Sequence, residues 1–242
     1  MRDEELLAAA VTNNASWCDA VCRSHGYPGT FSSRLWTSTQ HRLRCYPNAI
    51  TLRPDVTEPE VLAATAKVPP QPLAVKDSFA RLDLAAAGFR LLAEGSWIAR
   101  YGGPDGPDGP GAPPGHRMSW GRVTSPGELR DWETAWAGGA SGDVQVFQPG
   151  LLSDPRCAIL VCRGEEAIVG GVIVYAADGV AGISNVFGAG LPLDQLWGSI
   201  QRAVAAVQPH LPIVGYEEGD SLEAARQAGF HVRGSLRIWA GV

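Results

Sequence analysis

The chain has 242 residues, 45% of them hydrophobic and 19% charged, enough apolar content for a buried core and too much for an intrinsically disordered chain. Its formal net charge is −5, with no run of Lys or Arg, which argues against a nucleic-acid or anionic-membrane partner. No apolar stretch nears the roughly 18 residues that suggest a membrane span, and five cysteines in a chain this size read as reduced thiols and not as disulfide staples.

The opening segment, MRDEELLAAAVTNNASW, is acidic and lacks the apolar core of a secretory leader, so a cytoplasmic location is expected. Within it NNASW, residues 13–17, offers either polar contacts to a binding site or simply the surface of a helix. Cys18, Cys22 and His25 then follow at i, i+4 and i+7, with His41 and Cys45 further on. That spacing invites comparison with a zinc site. Cysteine and histidine on one helix face beside Trp17 and Val21 fit core and surface positions better, so no metal is expected. The same pair makes a poor thiol nucleophile, because one helix does not supply crossed Cys–His geometry.

AITLRP (49–54) reads as a strand and TEPEVLAATAK (57–67) as a helix. QPLAVKDSFARLDLAAAGFRLLAEGSWIAR (71–100) then gives a strand, an Ala-rich helix ending at Ala87-Gly88-Phe89, and a second strand. The next segment, GGPDGPDGPGAPPGH (102–116), holds neither a helix nor a central strand. Charge changes across it: residues 1–101 carry 11 basic and 10 acidic side chains, residues 102–242 carry 9 and 15. These features set the expected domains at 1–101 and 117–242, joined by a linker at 102–116. Trp36, Trp97 and Trp120 are candidates for lining a groove between the halves.

After the linker, SPGELRDWETAWAG (125–138) has the signature of a capped amphipathic helix. Residues 157–187 break at 163–166 and 177–179 into three strands of an antiparallel meander. Cys157 and Cys162 fall in its first strand and turn and read as structural. NVFGAG (185–190) then leads into a helix with Leu193, Leu196, Ile200, Val204 and Val207 on one stripe, the spacing of a helix laid on a sheet. LPIVGYEEGDSLEAARQAGFHVRGSLRIWA (211–240) closes the chain as strand, Ala-rich helix and strand, with Asp220 and Glu223 spaced as a capping pair. Both halves therefore run strand–helix–strand–helix–strand, and both late helices stop at Ala-Gly-Phe, a glycine at the left-handed end followed by an aromatic plug. This repeat is read as a duplication. GAGLPL lacks the third glycine of a dinucleotide fingerprint, and no GxxxxGK[ST] loop is present.

The order of elements over 117–242, together with NVFGAG and LEAARQAGF, resembles the GNAT superfamily of N-acyltransferases, with a partial, weaker copy over 49–100. The resemblance implies an α/β (α+β) fold: a mixed, mostly antiparallel sheet flanked by helices, preceded by a truncated half-copy. In that family a turn of pattern Arg/Gln-x-x-Gly-x-Gly/Ala holds the pyrophosphate of acyl-coenzyme A. The positions matching it are Asn185, Gly188 and Gly190. The amides of Phe187, Gly188, Ala189, Gly190 and Leu191, with Val186 in the same turn, are expected to converge on the phosphate, aided by the helix dipole. Asn185 supplies a neutral contact, and Pro192 fits the first helical position without an N–H. The matching turn of the first half, RPDVTEPE, has no glycine and sets Asp55, Glu58 and Glu60 around its helix start. Carboxylates there repel a phosphate.

Many family members place an acidic Tyr four residues before the Gly of Gly-Phe; here that position is Ala225. GYEEGD instead brings Tyr216, Glu217 and Glu218 to the end of the fifth strand of the domain. Glu217 or Glu218 is the expected base, with Tyr216 as acid. The implied reaction moves an acetyl or related acyl group from coenzyme A to a small-molecule or peptide amine, the first half shaping the acceptor site. The competing reading is a GNAT-fold protein that binds acyl-CoA or a protein partner without catalysis, which Ala225 and Asn185 favour.

Overall fold

The computed structural model describes residues 2–38, 43–66, 68, 73–101, 118–139, 145–165 and 167–241; the expected linker, 102–116, lies outside them. The chain folds as mixed α/β, its strands pairing mostly antiparallel, in two compact units: residues 1–97 with 233–242, and residues 98–232. The division thus falls at 97/98, and the last ten residues join the first unit.

In the first unit, helix α1 (Asp3–Ser24) is followed by strands β1 (Thr30–Phe31), β2 (Leu35–Thr37) and β3 (Ala49–Thr51), helix α2 (Glu58–Thr65), strand β4 (Ala74–Asp77) and strand β5 (Phe89–Arg100). The chain's last strand, β11 (His231–Gly241), pairs antiparallel with β4, from Arg237↔Asp77 to Ala240↔Ala74. β1, β2 and β3 pair antiparallel, while β3 and β4 run parallel with α2 between them in the chain. Leu35, Ala49, Val61, Val75, Leu84 and Trp239 form one core cluster of this unit.

The Ala-rich helix expected before Gly88 is only a 3-10 turn over Ala85–Ala87. The Asp83 carboxylate accepts the Ala85 amide at 3.1 Å, and Gly88 turns left-handed at φ 85°. Side-chain capture upstream and the glycine downstream leave room for one turn. Trp36 and Trp97 are fully buried. Trp36 donates its indole N–H to Asp19 at 3.1 Å, Trp97 to the Ser78 carbonyl at 2.8 Å. Asn13 and Asn14 of the expected polar segment are buried too, and Asn14 accepts from the Lys76 ammonium at 2.7 Å.

In the second unit, strand β6 (Ser119–Arg122) precedes helix α3 (Pro126–Trp136), whose Ser125 cap and Glu128 close the expected capping box. Strands β7 (Cys157–Arg163), β8 (Ile168–Ala177) and β9 (Val180–Gly188) form the meander at the expected breaks. Asp178 and Gly179, at φ 56° and 75°, make the two-residue turn that antiparallel strands favour. Helix α4 (Leu193–Val207), strand β10 (Ile213–Glu217) and helix α5 (Gly219–Gln227) complete the unit. Leu196, Ile200 and Val204 of the predicted stripe are fully buried, Leu193 is exposed, and Trp197 joins the buried face. They pack with Val172, Val174, Ala181, Ile183 and Phe230. Full burial of each such side chain is worth about 1.5–3 kcal/mol, so this packing sets where α4 begins relative to β9.

Candidate functional site

Among the described residues β9 and β10 run parallel and pair at Ile213↔Ala181 and Val214↔Gly182. On its other edge β9 bulges: the register against β8 moves from Ile173↔Ser184 to Gly171↔Phe187. Asn185 and Val186 therefore oppose the single residue Val172, and Asn185 takes φ 53°, a left-handed conformation that Asn tolerates better than most side chains. Past the bulge, Val186 packs with the α4 core. Phe187 instead meets Trp132 of α3 edge-on, with ring centroids 5.1 Å apart. A Cβ at Gly171 would collide with both rings, so this close packing depends on glycine there.

The turn into α4 differs in detail from the expected cradle. Val186, Phe187 and Gly188 belong to β9, with Gly188 paired to Gly170. The Ala189 amide donates to the Val169 carbonyl at 2.9 Å and is spent on the sheet. A Cβ on Gly188 would lie 3.0 Å from the Leu191 carbonyl oxygen and 3.4 Å from Leu196 Cδ2, so this glycine serves the turn's own packing. Gly190 is left-handed at φ 83°. Pro192 is the N-cap, not the first helical residue, and provides no side-chain cap. Its carbonyl accepts the Leu196 amide at 3.0 Å. The amides of Leu193, Asp194 and Gln195 precede the first helical hydrogen bond and have no carbonyl four residues back. Asp194 is the acidic side chain of that first turn.

The helix start of α2 is built in the opposite way. Glu60 accepts the Thr57 amide at 2.8 Å, and Arg34 bonds Glu60 Oε1 at 2.6 Å and Asp55 Oδ2 at 2.8 Å. These hydrogen bonds, Arg34's first, hold the Glu60 carboxyl down at about 2. One helix start is closed by its own carboxylate, and the other is uncapped by any side chain.

Beyond the start of β10, the three candidate catalytic residues separate. Tyr216 is half-buried and, by strand alternation, faces away from Glu217. Glu218 is exposed and is the N-cap of α5 without a side-chain bond. The expected Asp220–Glu223 cap is therefore not formed: the helix starts two residues earlier, Asp220 sits in its first turn, and Glu223 accepts from Gln227 at 3.3 Å. Glu217 is half-buried, and burial lifts its carboxyl to about 7, opposed by a hydrogen bond from Ser221 and assisted by the neighbouring charge of Glu218. Ser221 in turn accepts the Trp197 indole N–H at 3.1 Å.

Sequence reasoning missed Ser221 and Trp197. The available signals were a hydroxyl four residues after Glu217 and a Trp immediately after Leu196 of the stripe. Ala225 is fully buried in the α4–α5 core. Burial pushes the Cys22 and Cys157 thiols up to about 12 and Cys162 to about 11, far from the thiolate state that a nucleophile needs. Cys18 is raised for the same reason. Cys45 is exposed, His25 is the C-cap of α1, and His41 lies outside the described residues. Among the described residues no group of three His, Cys, Asp or Glu side chains is placed to hold a metal.

No protein-family model matches this sequence, and no curated protein does either. Solved structures do match its fold. A GCN5-related N-acetyltransferase from Kribbella flavida superposes with a TM-score of 0.61 at 18% identity, covering 96% of this chain and 95% of its own. A functionally unknown conserved protein from Staphylococcus epidermidis gives 0.60 at 12% identity, over 88% and 92%. A GCN5-related N-acetyltransferase-like protein from Streptococcus suis gives 0.50 at 11%, over 86% and 84%. The fold is that of the GNAT superfamily.

Proposed function

We propose that this protein is an N-acyltransferase that moves an acetyl or related acyl group from acyl-CoA to an amine, and that the second unit carries the site. The observation that carries the reading is the parallel β9–β10 couple, which has an uncapped helix start beyond one strand and a half-buried, readily protonated carboxyl at the end of the other. In the GNAT-fold enzymes the diphosphate of the co-substrate lies at such a helix start. Here the amides of Gly190, Leu191 and the first turn of α4 would bind it, with Asn185, Val186, Phe187, Gly188 and Ala189 shaping the approach.

In this reading the ionised Glu217 carboxylate takes a proton from the amine, directly or through a water. The freed lone pair attacks the thioester carbonyl, the C–S bond breaks, and the departing thiolate takes a proton from Tyr216 or solvent. A base whose proton affinity lies near neutrality is well matched to this step. Glu218, exposed at the cap of α5, is a weaker candidate for the same role. The acceptor is a small-molecule or peptide amine.

The same fold also supports a second reading, binding of acyl-CoA or a protein partner without turnover, which the buried Ala225 favours because a Tyr has no room there. Thiol release from acetyl-CoA over a panel of amines, compared between the native protein and Glu217→Gln, separates the two. The catalytic reading predicts turnover that the variant loses while acetyl-CoA affinity stays. Cofactor binding with no turnover on any amine would favour the second.

We also propose that the first unit is a truncated repeat of the second. Each contains two parallel strands joined through a helix, then a turn ending at a left-handed glycine. The closing hydrogen bonds match: Phe89 N–H to Leu84 and Phe230 N–H to Ala225. The side-chain cap on α2 makes that copy one that binds no cofactor.

A further inference from the structure

Two strands change unit along their length. β5 leaves the first unit at Trp97 and enters the second at Ile98, and β11 leaves the second at Val232 and enters the first at Arg233. The last strand of each half of the sequence therefore ends in a core built by the other half. Ile98 is fully buried in the cluster that holds Leu196, Ile200, Ile213, Ala225 and Phe230. Two residues on, Arg100 donates from Nη1 to the carbonyl of Ala228, the C-cap of α5. A helix end leaves carbonyls without helical partners and carries the negative end of the dipole, so a guanidinium there answers both. The fit is close. Gly229 is left-handed at φ 86°, and a Cβ on it would collide with that same guanidinium.

The second half gives its strand in return. β11 pairs with β4 from Arg237↔Asp77 to Ala240↔Ala74, and Trp239 lies in the core cluster of Val61, Val75 and Leu84. The Gly241 amide donates to the Leu73 carbonyl at 2.9 Å. Arg233 and Arg237 reach the exposed carboxylates of Asp3 at 2.8 Å and Glu94 at 2.6 Å. Such ion pairs add little; the ladder and the buried side chains hold the strand.

We propose that the two halves of the chain are interlocked by reciprocal exchange of their last strands, that neither 1–101 nor 117–242 completes a core alone, and that Arg100 is the clasp that ties the end of α5 to the strand supplied by the first half. The first half is then more than a cofactor-free copy: it supplies Ile98, Ala99 and Arg100 to the unit that carries the proposed site. The interlock does not depend on acyl transfer.

Hydrogen–deuterium exchange of the full chain, read by mass spectrometry, gives a crossed test. Ile98→Val, in the first half, should speed amide exchange in α4 and α5 by on the order of three- to tenfold, the effect of one buried methylene, and leave α2 and β3 close to native. Trp239→Phe, in the second half, should speed exchange in α2 and β3 and leave α4 and α5 close to native. Arg100→Ala should speed exchange of the Gly229 and Phe230 amides, and Arg100→Lys, which keeps the charge without the planar fork, should recover part of the protection. A second experiment cuts the chain at a protease site placed within 102–116. The two pieces should elute together at the size of the intact chain and melt in one transition. Uncrossed effects, with Ile98→Val felt in α2 and β3 and Trp239→Phe in α4 and α5, overturn the proposal. So do pieces that part under native conditions and each stay folded. Exchange at Gly229 and Phe230 that ignores Arg100→Ala overturns the clasp.

Discussion

Glu217 and Glu218 are chemically identical neighbours that the fold treats differently. Glu218 is exposed at the N-cap position of α5, while Glu217 is half-buried and its carboxyl is raised by burial. Replacing Glu217 by Gln should lower kcat by about 10²–10⁴-fold, the usual contribution of a general base. Glu218→Gln should cost little. The native kcat/KM should rise with pH through about 7, since the base acts when ionised, and then level off. The same shift predicts a stability effect of definite sign. The folded carboxyl binds its proton more tightly than the unfolded one, whose ordinary value is 4.5. This contribution to stability is complete below pH 4.5 and is lost as pH rises through 7. At pH 8 Glu217→Gln should therefore be more stable than the native protein, by on the order of 2 kcal/mol, and the two should converge near pH 4. Thermal melts at the two pH values check this. A variant less stable at pH 8 would mean the carboxylate is welcome where it sits.

At the scale of elements, the contrast between α2 and α4 is the most informative feature. Gln195 holds in α4 the third helical position that Glu60 holds in α2. Gln195→Glu should add a second carboxylate beside Asp194 to the first turn of α4 and weaken acetyl-CoA binding at least tenfold, with thermal stability little changed because Pro192 has no N–H for it to cap. Gly188→Asp is a poorer probe of the same turn, because any Cβ there presses on the Leu191 carbonyl. Ile200→Ala, deep in the stripe, should cost about 2–5 kcal/mol and show in chemical denaturation. The meander, α3 and the α4 stripe were legible in the sequence, because turn residues, a capping box and a 3.6-residue period are local signals. Helix starts were less so. Pro192 is compatible with the cap or the first helical position, and Asp220–Glu223 has the spacing of a capping pair, yet the end of β10 starts α5 two residues earlier. The Ala85–Ala87 turn has helical composition, but Asp83 and Gly88 bracket it too tightly.

For the whole molecule, the order of elements pointed to the GNAT fold before any tertiary contact was known, and that fold is what the structure has. The site was legible only in part. NVFGAG marks the turn into α4 that we propose as the phosphate site, but Asn185 to Gly188 lie in β9 and the Ala189 amide bonds into the sheet, which no local pattern discloses. Trp197 and Ser221 meet only because α4 and α5 pack together, 24 residues apart in sequence. The chain's last strand likewise finds its antiparallel partner in β4, a non-local pairing that moves residues 233–242 into the first unit. If one helix start is closed and the other is not, the chain should hold one cofactor, and acetyl-CoA at 100 times its Kd should stabilise the fold by about 2.7 kcal/mol.

The most direct measurement is a calorimetric titration of the native chain with acetyl-CoA. We expect micromolar affinity and one molecule bound per chain. An absence of heat at millimolar acetyl-CoA, or a stoichiometry of two, would contradict the assignment of the α4 start as the single acyl-CoA site.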